Sequence, residues 1–523
     1  MPDNEPKTII AVEIGSSKIR GAIGALGSDN TLTIQAVEEE PMTDWVRYGA
    51  VSNVEEVAGL TNRIIRKIEN RIAPRKVKSV YLNIGGRSLC TMPREVEQSF
   101  AEDTEITAAI INELITDARD GSPYADRDTL VVVPRHYYID KREVSVAKGT
   151  VGHNIRMAAN LVTCRPQTRR NLERIFTDKL KLSIAGIKVR PLALADAVLT
   201  KEEKRLGCMF VDFGAETTTV AIFKGGALQF LSTLPMGSRL ITRDIQALKY
   251  TEERAEELKI KVGSAASPLM NGGRQAAIPA EHAAINNYVL HRASEIIANI
   301  KNQLKQAGYV ASDLPEGIII VGGGARLNGF TSRLSAALTM NIRLGSVDTT
   351  RMRIADGHIS PTDSADILAL LLAATDTDAE ECTQRPAPQP APQPVQQPVQ
   401  EQPIYQQPTY QQPAPQPVQQ PIQQPVQQQP VYQQPAYQQP YQQQPTYQQP
   451  VQSTPVYQQP AQQQPVQQQQ PVQQQQPVQQ QTTRTTSKKG TEKSNSSWLD
   501  RIKNIAERLM TEEPEDNDYR DDV

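Results

Sequence analysis

The sequence predicts an α/β fold with mixed sheets in two related halves, followed by a long segment without the composition of a folded core. Apolar strands alternate with amphipathic helices over about the first 380 residues, enough chain for a large core. A hairpin pattern that opens the chain returns roughly two hundred residues later. Between Gln384 and Gln481 the chain is almost only Pro and Gln, which cannot bury enough apolar surface to offset the entropy of folding.

Two hairpins with the same sequence pattern open the two halves. Each has an apolar strand, an acid, one apolar residue, a glycine and small hydroxylic residues, and then a second apolar strand. The first comprises strands Thr8–Ile14 and Ile19–Ala25 with a turn at Glu13–Lys18, and the second comprises strands Cys208–Val211 and Thr219–Phe223 with a turn at Asp212–Thr218. A repeat of this length is typical of a duplicated fold.

The rest of this body is predicted to alternate between helices and strands. The predicted helices are Asp103–Arg119, Thr251–Val262 and Ala283–Ala307, and the predicted strands are Asp128–Val133, Arg135–Ile139 and Gly317–Val321. Apolar residues from Ile106 to Ile115 share one face of the first helix, as expected of an amphipathic helix.

Bulk composition excludes several classes of protein. The net charge of −2 provides no basic field of the kind that drives nucleic-acid binding, so no nucleic-acid partner is expected. The four cysteines lie far apart without a CxxC motif, which favours a reducing cytosol and argues against structural zinc. The N-terminus lacks the features of a signal peptide, and the longest apolar stretch, Ile367–Ala374, is too short to span a bilayer. A cytosolic protein is therefore expected.

The two hairpin turns are candidate phosphate-binding loops. Turns rich in Gly and Ser leave backbone N–H groups that can converge on a phosphate, and Lys18 adds a positive charge. Glu13 and Asp212 can hold Mg²⁺ or its water shell, because this ion prefers carboxylate and water oxygens. Either turn alone could be an ordinary hairpin, whereas two turns facing each other would hold a triphosphate from both sides.

A third glycine cluster strengthens this interpretation. Ile318–Val321 is an apolar strand that runs into Gly322–Gly324 and a predicted helix. Glycines there let the backbone approach a flat ring, although a crowded strand-to-helix turn would need them as well. The order of the three motifs along the chain favours a nucleotide site.

These motifs resemble those of the actin-like ATPase superfamily and, within it, the FtsA family of bacterial division proteins. The superfamily resemblance rests on AVEIGSSK, VDFGAETTTVAIFKGG and IIIVGGGARLNGF. The narrower one rests on Pro191–Gly207, Leu234–Ile245, Ala255–Lys259 and the segment VVVPRHYYID, which is similar to the domain that this family inserts. The resemblance covers about residues 7–376 and the predicted helix near the far end.

The resemblance implies an actin-like (RNase H-like) duplicated fold that binds ATP with Mg²⁺. The triphosphate would be held by Gly15, Ser16, Ser17 and Lys18 from one side and by Gly214, Ala215, Glu216, Thr217 and Thr218 from the other. The ribose and base would be held by Glu256, Lys259, Gly323, Gly324 and Arg326, and the metal by Asp212 and, through water, Glu13. By spacing alone Glu256 and Lys259 would be an exposed i,i+3 ion pair, so only the resemblance gives them this role.

The resemblance also implies a division into subdomains. These are a first actin-like subdomain (1A) at 7–84 and 165–200, an inserted subdomain (1C) at 85–164, a second actin-like subdomain (2A) at 201–234 and 302–376, and a small subdomain (2B) at 235–301. A Pro/Gln-rich linker at 377–495, an amphipathic helix at 496–510 and an acidic tail at 511–523 would follow.

Departures from the family pattern bear on activity. Arg190 stands where relatives that hydrolyse ATP often place Gln or Glu, and a guanidinium cannot accept a proton from an attacking water. We therefore expect tight ATP binding with slow or no hydrolysis. Many relatives have Asp at the position of Glu13, and Ser238 and Arg243 also differ from the usual residues, which leaves the contacts of that segment open.

The segment 496–510 predicts an amphipathic helix that lies on a membrane surface. Its apolar side chains fall within an arc of about 140°; they are Trp498, Leu499, Ile502, Ile505, Ala506, Leu509 and Met510. Arg501 and Lys503 border this arc and can reach lipid phosphates. Packing against the body or against a partner's groove are the alternatives. The seven acids of 511–523 would be repelled by anionic lipid, so moderate, reversible attachment is expected.

Taken as a whole, the resemblance implies an ATP-binding adaptor that ties FtsZ filaments to the cytoplasmic face of the inner membrane at the septum and helps assemble the divisome. The C-terminal tail of FtsZ would bind the small subdomain, where Arg292 is the candidate contact or else a solvated helix residue. The chain would also self-associate into actin-like filaments. The linker would be a neutral spacer of roughly 50–60 Å as a random coil, or a merely tolerated insertion.

Two other functions remain open on the same fold. A small-metabolite kinase or phosphatase would need a catalytic acid in the cleft, and the sequence shows no convincing candidate. An Hsp70-like chaperone would carry a β-rich domain where this chain has its Pro/Gln segment.

Overall fold

The computed structural model describes residues 5–266, 279–376 and 378–385. Within them the chain forms an α/β fold around two large mixed sheets, one of six strands and one of nine. The predicted amphipathic helix, the acidic tail and the predicted linker beyond residue 385 lie outside the described residues.

The bounds of the described strands and helices are as follows. The strands are β1 Lys7–Ile14, β2 Lys18–Leu26, β3 Leu32–Pro41, β4 Val46–Arg47, β5 Ala50–Val51, β6 Lys76–Val77, β7 Ser79–Ile84, β8 Cys90–Glu105, β9 Asp128–Ile139, β10 Arg142–Val144, β11 Val151–Cys164, β12 Ser183–Val189, β13 Cys208–Phe213, β14 Thr218–Lys224, β15 Ala227–Leu234, β16 Ile318–Val321, β17 Ile342–Leu344, β18 Met352–Ile354 and β19 Thr383–Gln384. The α-helices are α1 Val54–Ile72, α2 Ala108–Asp120, α3 Pro166–Glu173, α4 Arg190–Val198, α5 Lys201–Leu206, α6 Ser238–Gln246, α7 Glu252–Lys261, α8 Ala280–Gln306, α9 Phe330–Leu338 and α10 Ala365–Thr375.

The duplication predicted from the hairpins is visible in the order of the strands. Five strands of one sheet follow β12-β7-β1-β2-β3, and five of the other follow β17-β16-β13-β14-β15. In each set the hairpin is antiparallel and its first strand runs parallel to the next neighbour. Glu13 lies opposite Arg20 in one hairpin and Asp212 opposite Thr219 in the other, so the two acids occupy equivalent positions.

The inserted segment extends the second sheet. Strands β10, β9, β11 and β8 are hydrogen-bonded in that order, and β8 joins β15 where Cys90 pairs with Ser232. The amphipathic helix of this segment begins at Ala108 and not at Asp103 as predicted. Residues up to Glu105 continue β8, and Thr107 then caps the helix by accepting a hydrogen bond from the Ile110 amide. Ile106 is buried ahead of the helix, and its apolar character made the predicted helix too long.

One strand of the insert replaces the two that were predicted. β9 runs without a break through Pro134, which the prediction treated as a boundary. Opposite it, the register of β11 shifts between Ala158 and Ala159, which pair with His136 and Pro134. The bulge at Arg135 accommodates Pro134, which has no N–H to donate, because a bulge locally interrupts the ladder of hydrogen bonds.

In the second half, by contrast, the predicted α7, α8 and β16 were confirmed with ends shifted by at most a few residues.

The longest apolar stretch of the sequence is a core helix. α10 contacts α4, β1, β2 and β7, and its residues from Ile367 to Leu372 are all buried. It is apolar around almost its whole circumference because protein surrounds it. None of the helices within residues 5–266, 279–376 and 378–385 is both long and apolar enough to cross a membrane.

The folded body extends to residue 385 rather than ending at 376. After α10 the chain returns to the first half, where Thr383 pairs with Val77 in a two-stranded sheet. Cys382 is fully buried and donates its amide to the Thr8 carbonyl at 2.8 Å. Arg385 forms an ion pair with Glu5 at 2.9 Å. The residues between α10 and the Pro/Gln segment therefore belong to the body and not to the predicted linker.

Candidate functional site

A cavity of about 670 Å³ contains most of the residues predicted to bind a nucleotide. Both hairpin turns and the third glycine cluster line it. The predicted residues on its wall are Glu13, Gly15, Ser16, Ser17, Lys18, Gly214, Ala215, Glu216, Thr217, Glu256, Lys259, Gly323, Gly324 and Arg326. Thr218 and Asp212 do not line it: Thr218 is fully buried and its hydroxyl donates to the Met236 carbonyl at 2.7 Å.

The two glycine turns are closed by equivalent hydrogen bonds. The Gly15 amide donates to the Lys18 carbonyl at 3.0 Å, and the Gly214 amide donates to the Thr217 carbonyl at 2.9 Å. A Cβ on Gly15 would lie 3.0 Å from the Lys18 carbonyl oxygen, and one on Gly214 would lie 3.2 Å from that of Thr217. A side chain would therefore be tightly placed at the same point of both turns, and the two turns bring the two halves to one cavity.

A side chain would meet different surroundings at each of the three glycines after β16. Gly322 has a φ of 91°, and a Cβ there would lie 2.4 Å from the Phe213 carbonyl oxygen. A Cβ on Gly324 would meet the Phe213 ring at 2.6 Å. These two positions are crowded by the fold itself, whereas a Cβ on Gly323 would meet nothing within 4 Å. Gly323 is therefore the member of the cluster where the cavity has free space.

The two predicted metal ligands lie against an arginine. The Asp212 carboxylate is 3.1 Å from Arg190 Nη2, and Glu13 Oε1 is 3.8 Å from Arg190 Nε. Asp366, in the first turn of α10, contacts the same Nε at 3.0 Å. Arg20 Nη1 approaches Glu13 Oε2 at 3.7 Å. Three carboxylates and two guanidinium groups therefore form one cluster, in which Glu13, Asp366, Arg190 and Arg20 line the cavity and Asp212 lies beside them.

Burial and charge act in opposite directions on this cluster. Burial raises the pKa of Glu13 to about 7, helped by Asp366 and opposed by Arg190. Burial also raises the pKa of Asp212 to about 6, opposed by Arg190. Burial alone would lower the pKa of Arg190, but the carboxylates of Asp212, Asp366 and Glu13 outweigh it and hold that pKa above its ordinary value. The guanidinium is therefore permanently charged.

The carboxylates in this arrangement do not fit a divalent metal ion. Such an ion needs free oxygen ligands around an open position, and here Arg190 lies where these oxygens converge. Across the residues that the structure describes, no three carboxylate, imidazole or thiol side chains are grouped so as to hold a metal. The Mg²⁺ predicted with ATP thus finds no prepared site at Glu13 and Asp212.

Two buried polar atoms at the cavity make no hydrogen bond within the described part of the chain. Glu13 Oε2 and Asn83 Nδ2 are buried and have no hydrogen-bond partner in the described part of the chain. Both residues line the cavity. An unpaired buried polar group costs about 1–3 kcal/mol, so these atoms indicate a site that a polar ligand completes.

Glu216 is committed to contacts with protein. Its carboxylate is 1% exposed and accepts hydrogen bonds from the Tyr48 amide at 2.6 Å and from Arg243 Nη2 at 3.1 Å. Arg239 and Arg47 also approach it, at 3.3 and 3.7 Å. A carboxylate held in this way is occupied by protein contacts and would be repelled by phosphate, so the backbone of Glu216 is better suited than its side chain to hold a phosphate.

The residues predicted to hold ribose and base form a connected group. Lys259 Nζ lies 2.7 Å from Glu256 Oε2 and donates to Thr242 Oγ1 at 3.0 Å, and Thr242 donates to Glu256 in turn. Burial lowers the pKa of Lys259, with Glu256 opposing. Lys259 is buried, so the pair is not the exposed one that spacing alone indicates. Arg326 is paired with Asp363 across the same part of the cavity.

The candidate partner residue is also engaged. Arg292 Nε and Nη2 contact the two oxygens of Asp244 at 2.6 and 2.9 Å, and Nη1 contacts Glu295 at 2.6 Å. Arg292 is therefore neither free nor simply solvated; a partner carboxylate would compete with Asp244 for it.

Sequence reasoning missed Asp366, Arg20 and Asn83. An acid at the start of an otherwise apolar helix is the signal that could have identified Asp366. Arg20 lies one strand away from Glu13 in the hairpin register, which the hairpin prediction already contained. Nothing in the sequence around Asn83 distinguishes it from a sheet residue.

Comparison with known proteins gives the family. The model described as cell division protein FtsA matches residues 209–364, and the model described as the SHS2 domain inserted in FTSA matches residues 86–163. The chain belongs to the FtsA family. The FtsA of Porphyromonas gingivalis is 29% identical over 368 residues, which cover 68% of this chain and 77% of that protein. The FtsA of Pseudomonas aeruginosa is 27% identical over 351 residues, which cover 65% and 83%.

The FtsA fold accounts for the architecture described above. The inserted SHS2 domain matches residues 86–163, which contain the strands that extend the second sheet, and the FtsA match begins within β13 of the second half. Among solved structures, a chain of a PilM-PilN type IV pilus biogenesis complex is similar over 70% of this chain and 98% of its own, with a TM-score of 0.49 and 17% identity. By its matches to the family models and to these relatives, this chain is a cell division protein of the FtsA family.

Proposed function

We propose that this chain binds an adenine nucleotide in the cavity and serves as the membrane-attached adaptor for FtsZ filaments in cell division. The observation that carries the nucleotide part is the pair of glycine turns, closed by the same hydrogen bond and lining one cavity from both halves. Backbone N–H groups of such turns are suited to phosphate oxygens. Lys18 lies on the same wall, where it is paired with Glu39 at 2.9 Å. Asn83 adds an unpaired donor.

The adaptor part rests on family membership and on the sequence of the far end. FtsZ binding through Arg292, head-to-tail filaments and a membrane-surface helix at 496–510 are proposed together with it. ATP hydrolysis is expected to be slow or absent, because Arg190 stands beside the phosphate end of the cavity where a base would be needed. A small-metabolite kinase or phosphatase finds no support in the cavity, since Glu13 and Asp366 are paired with Arg20 and Arg190.

The nucleotide site can be tested at Gly323. The Cβ of a valine there would meet nothing within 4 Å, and the residue lines the cavity. We expect Gly323→Val to lose ATP binding in isothermal titration calorimetry while its thermal unfolding stays close to that of the unchanged protein. Gly357→Val is the matched control, because a Cβ at Gly357 also meets nothing within 4 Å and this residue lies away from the cavity. Unchanged ATP affinity in Gly323→Val would contradict the proposed site.

A further inference from the structure

One guanidinium lies where three chain segments bring their carboxylates together. Glu13 is the last residue but one of β1, Asp212 is the last but one of β13 and Asp366 is the second residue of α10. All three carboxylates face Arg190, the first residue of α4. The closest approaches are 3.0 Å from Asp366 and 3.1 Å from Asp212. Because the acids come from both halves and from α10, the fold itself positions Arg190.

We propose that Arg190 is a built-in cation of the nucleotide site, so that the polyphosphate binds without a divalent metal ion. This inference rests on the proposed nucleotide binding and concerns the chemistry of that same site. It replaces the Mg²⁺ that was predicted at Glu13 and Asp212.

The arrangement of the carboxylates around Arg190 supports binding without a metal ion. A divalent ion is held by carboxylate and water oxygens, and it is repelled by a cation among them. Arg190 is already within hydrogen-bond distance of oxygens of Asp366 and Asp212. Binding a metal at the same place would require the guanidinium to leave and three buried acids to be rearranged.

The position of the Arg190 guanidinium supports a direct contact with phosphate. Arg190 lines the cavity together with both glycine turns, and its side chain is 20% exposed. Its contacts with Asp366 and Asp212 use Nε and Nη2. A planar guanidinium with further N–H donors is suited to phosphate oxygens, and charge-assisted bonds of this kind are stronger than neutral ones. Arg20, 3.7 Å from Glu13, adds a second positive charge on the same wall.

The test is the dependence of nucleotide binding on divalent cation. ATP is titrated calorimetrically into the full chain in excess Mg²⁺ and in excess EDTA. We expect the dissociation constants to agree within about threefold. In Arg190→Gln the carboxylates lose their cation, so ATP should bind at least about tenfold more weakly in EDTA than in Mg²⁺. Arg343→Gln is the matched control, since Arg343 pairs with Glu203 at 2.6 Å and does not line the cavity.

A second measurement does not depend on nucleotide. Mn²⁺ is titrated alone and its binding is followed by electron paramagnetic resonance. The unchanged protein should not bind it at this site, whereas Arg190→Gln should, because the three carboxylates become available. Should Arg190→Gln not fold, Arg190→Lys, which keeps the charge, should retain ATP binding in EDTA.

The outcomes separate this inference from the proposed function. Binding of ATP in Mg²⁺ but not in EDTA by the unchanged protein would overturn the inference and leave the nucleotide site intact. The inference would also be overturned if the Arg190→Gln variant bound ATP with the same dissociation constant in EDTA as in Mg²⁺. No ATP binding in either buffer would reject both.

Discussion

The carboxylate of Glu216 accepts a hydrogen bond of 2.6 Å from the backbone amide of Tyr48, and this contact joins the second glycine turn to the first half of the chain. Tyr48 has a φ of 50°, a left-handed conformation that costs a non-glycine residue roughly 1 kcal/mol. Arg239 and Arg243, both on α6, hold the same carboxylate from the side of the second half. Glu216 therefore connects the two walls of the cavity.

Removing this charge should destabilise the protein. Glu216→Gln keeps the size of the side chain but removes the carboxylate partner of Arg243 and leaves Arg239 with Glu252 alone. We expect this to lower the free energy of unfolding by about 3 kcal/mol. Urea denaturation followed by circular dichroism measures the change. Glu257→Gln, which breaks an exposed pair with Arg254, should cost less than about 1 kcal/mol. Equal effects of the two substitutions would contradict the bridging role of Glu216.

The buried carboxyl of Glu13 should make stability depend on pH. Its folded-state pKa of about 7 lies above the ordinary value of 4.5, so the folded protein binds more protons than the unfolded chain between these values. Stability contributed by this group is therefore lost as the pH rises from about 4.5 to about 7. Without nucleotide, the free energy of unfolding should fall less steeply across this window in Glu13→Gln than in the unchanged protein. Identical slopes would contradict the burial assigned to this carboxyl.

The proposed FtsZ contact is best tested by neutralising Arg292. Arg292→Glu would place a carboxylate beside Asp244 and Glu295, so a loss of binding could come from local repulsion. Arg292→Gln avoids this, and we expect it to weaken binding of the FtsZ C-terminal peptide by about tenfold in fluorescence anisotropy. ATP binding should be retained.

Arg254 provides the control for this experiment. It lies on α7 and is paired with Glu257 at 3.0 Å, so Arg254→Gln removes one charge from the same part of the chain. It should leave the peptide affinity unchanged. If both variants bind the peptide as the unchanged protein does, Arg292 is not the contact.

The membrane prediction concerns Trp498, which lies outside the described residues. On the predicted helix Trp498 is in the apolar arc and Asn504 is on the opposite face. Trp498→Glu should abolish co-sedimentation with vesicles that contain anionic lipid, because a carboxylate would enter the acyl boundary. Asn504→Glu adds the same group to the polar face and should retain most of the binding. Equal retention by both variants would exclude an anchor of this orientation.

The parts of the fold that follow from local sequence were predicted well. The two hairpins, α7, α8 and β16 are each encoded by a contiguous pattern of apolar and turn residues. The start of α2 was missed because Ile106 continues the apolar spacing of the helix while lying outside it. The unbroken β9 was missed because the bulge that accommodates Pro134 is set by the partner strand β11, which lies elsewhere in the sequence.

The electrostatics of the site could not be predicted in the same way. Arg190 and Asp366 are 176 residues apart, and their pairing depends on how α4 and α10 pack against the first sheet. The sequence marked Arg190 as unusual and Asp212 as a possible metal ligand, but only the fold shows that the two side chains are 3.1 Å apart. The motifs predict which residues line the site. The net charge there also depends on residues outside the motifs, such as Asp366.

Residues 378–385 connect the folded body to the rest of the chain, so tension on that chain would act on the body through them. Tension on the chain beyond residue 385 would act first on the ion pair of Arg385 with Glu5 and then on the pairing of β19 with β6, a sheet of two residues per strand. The next point of resistance is Cys382, which is bonded to Thr8 in β1. β1 leads directly into the glycine turn at Gly15. A mechanical load on the chain beyond residue 385 would thus reach the strand that supports the first glycine turn, so tension and the proposed nucleotide would act on the same element.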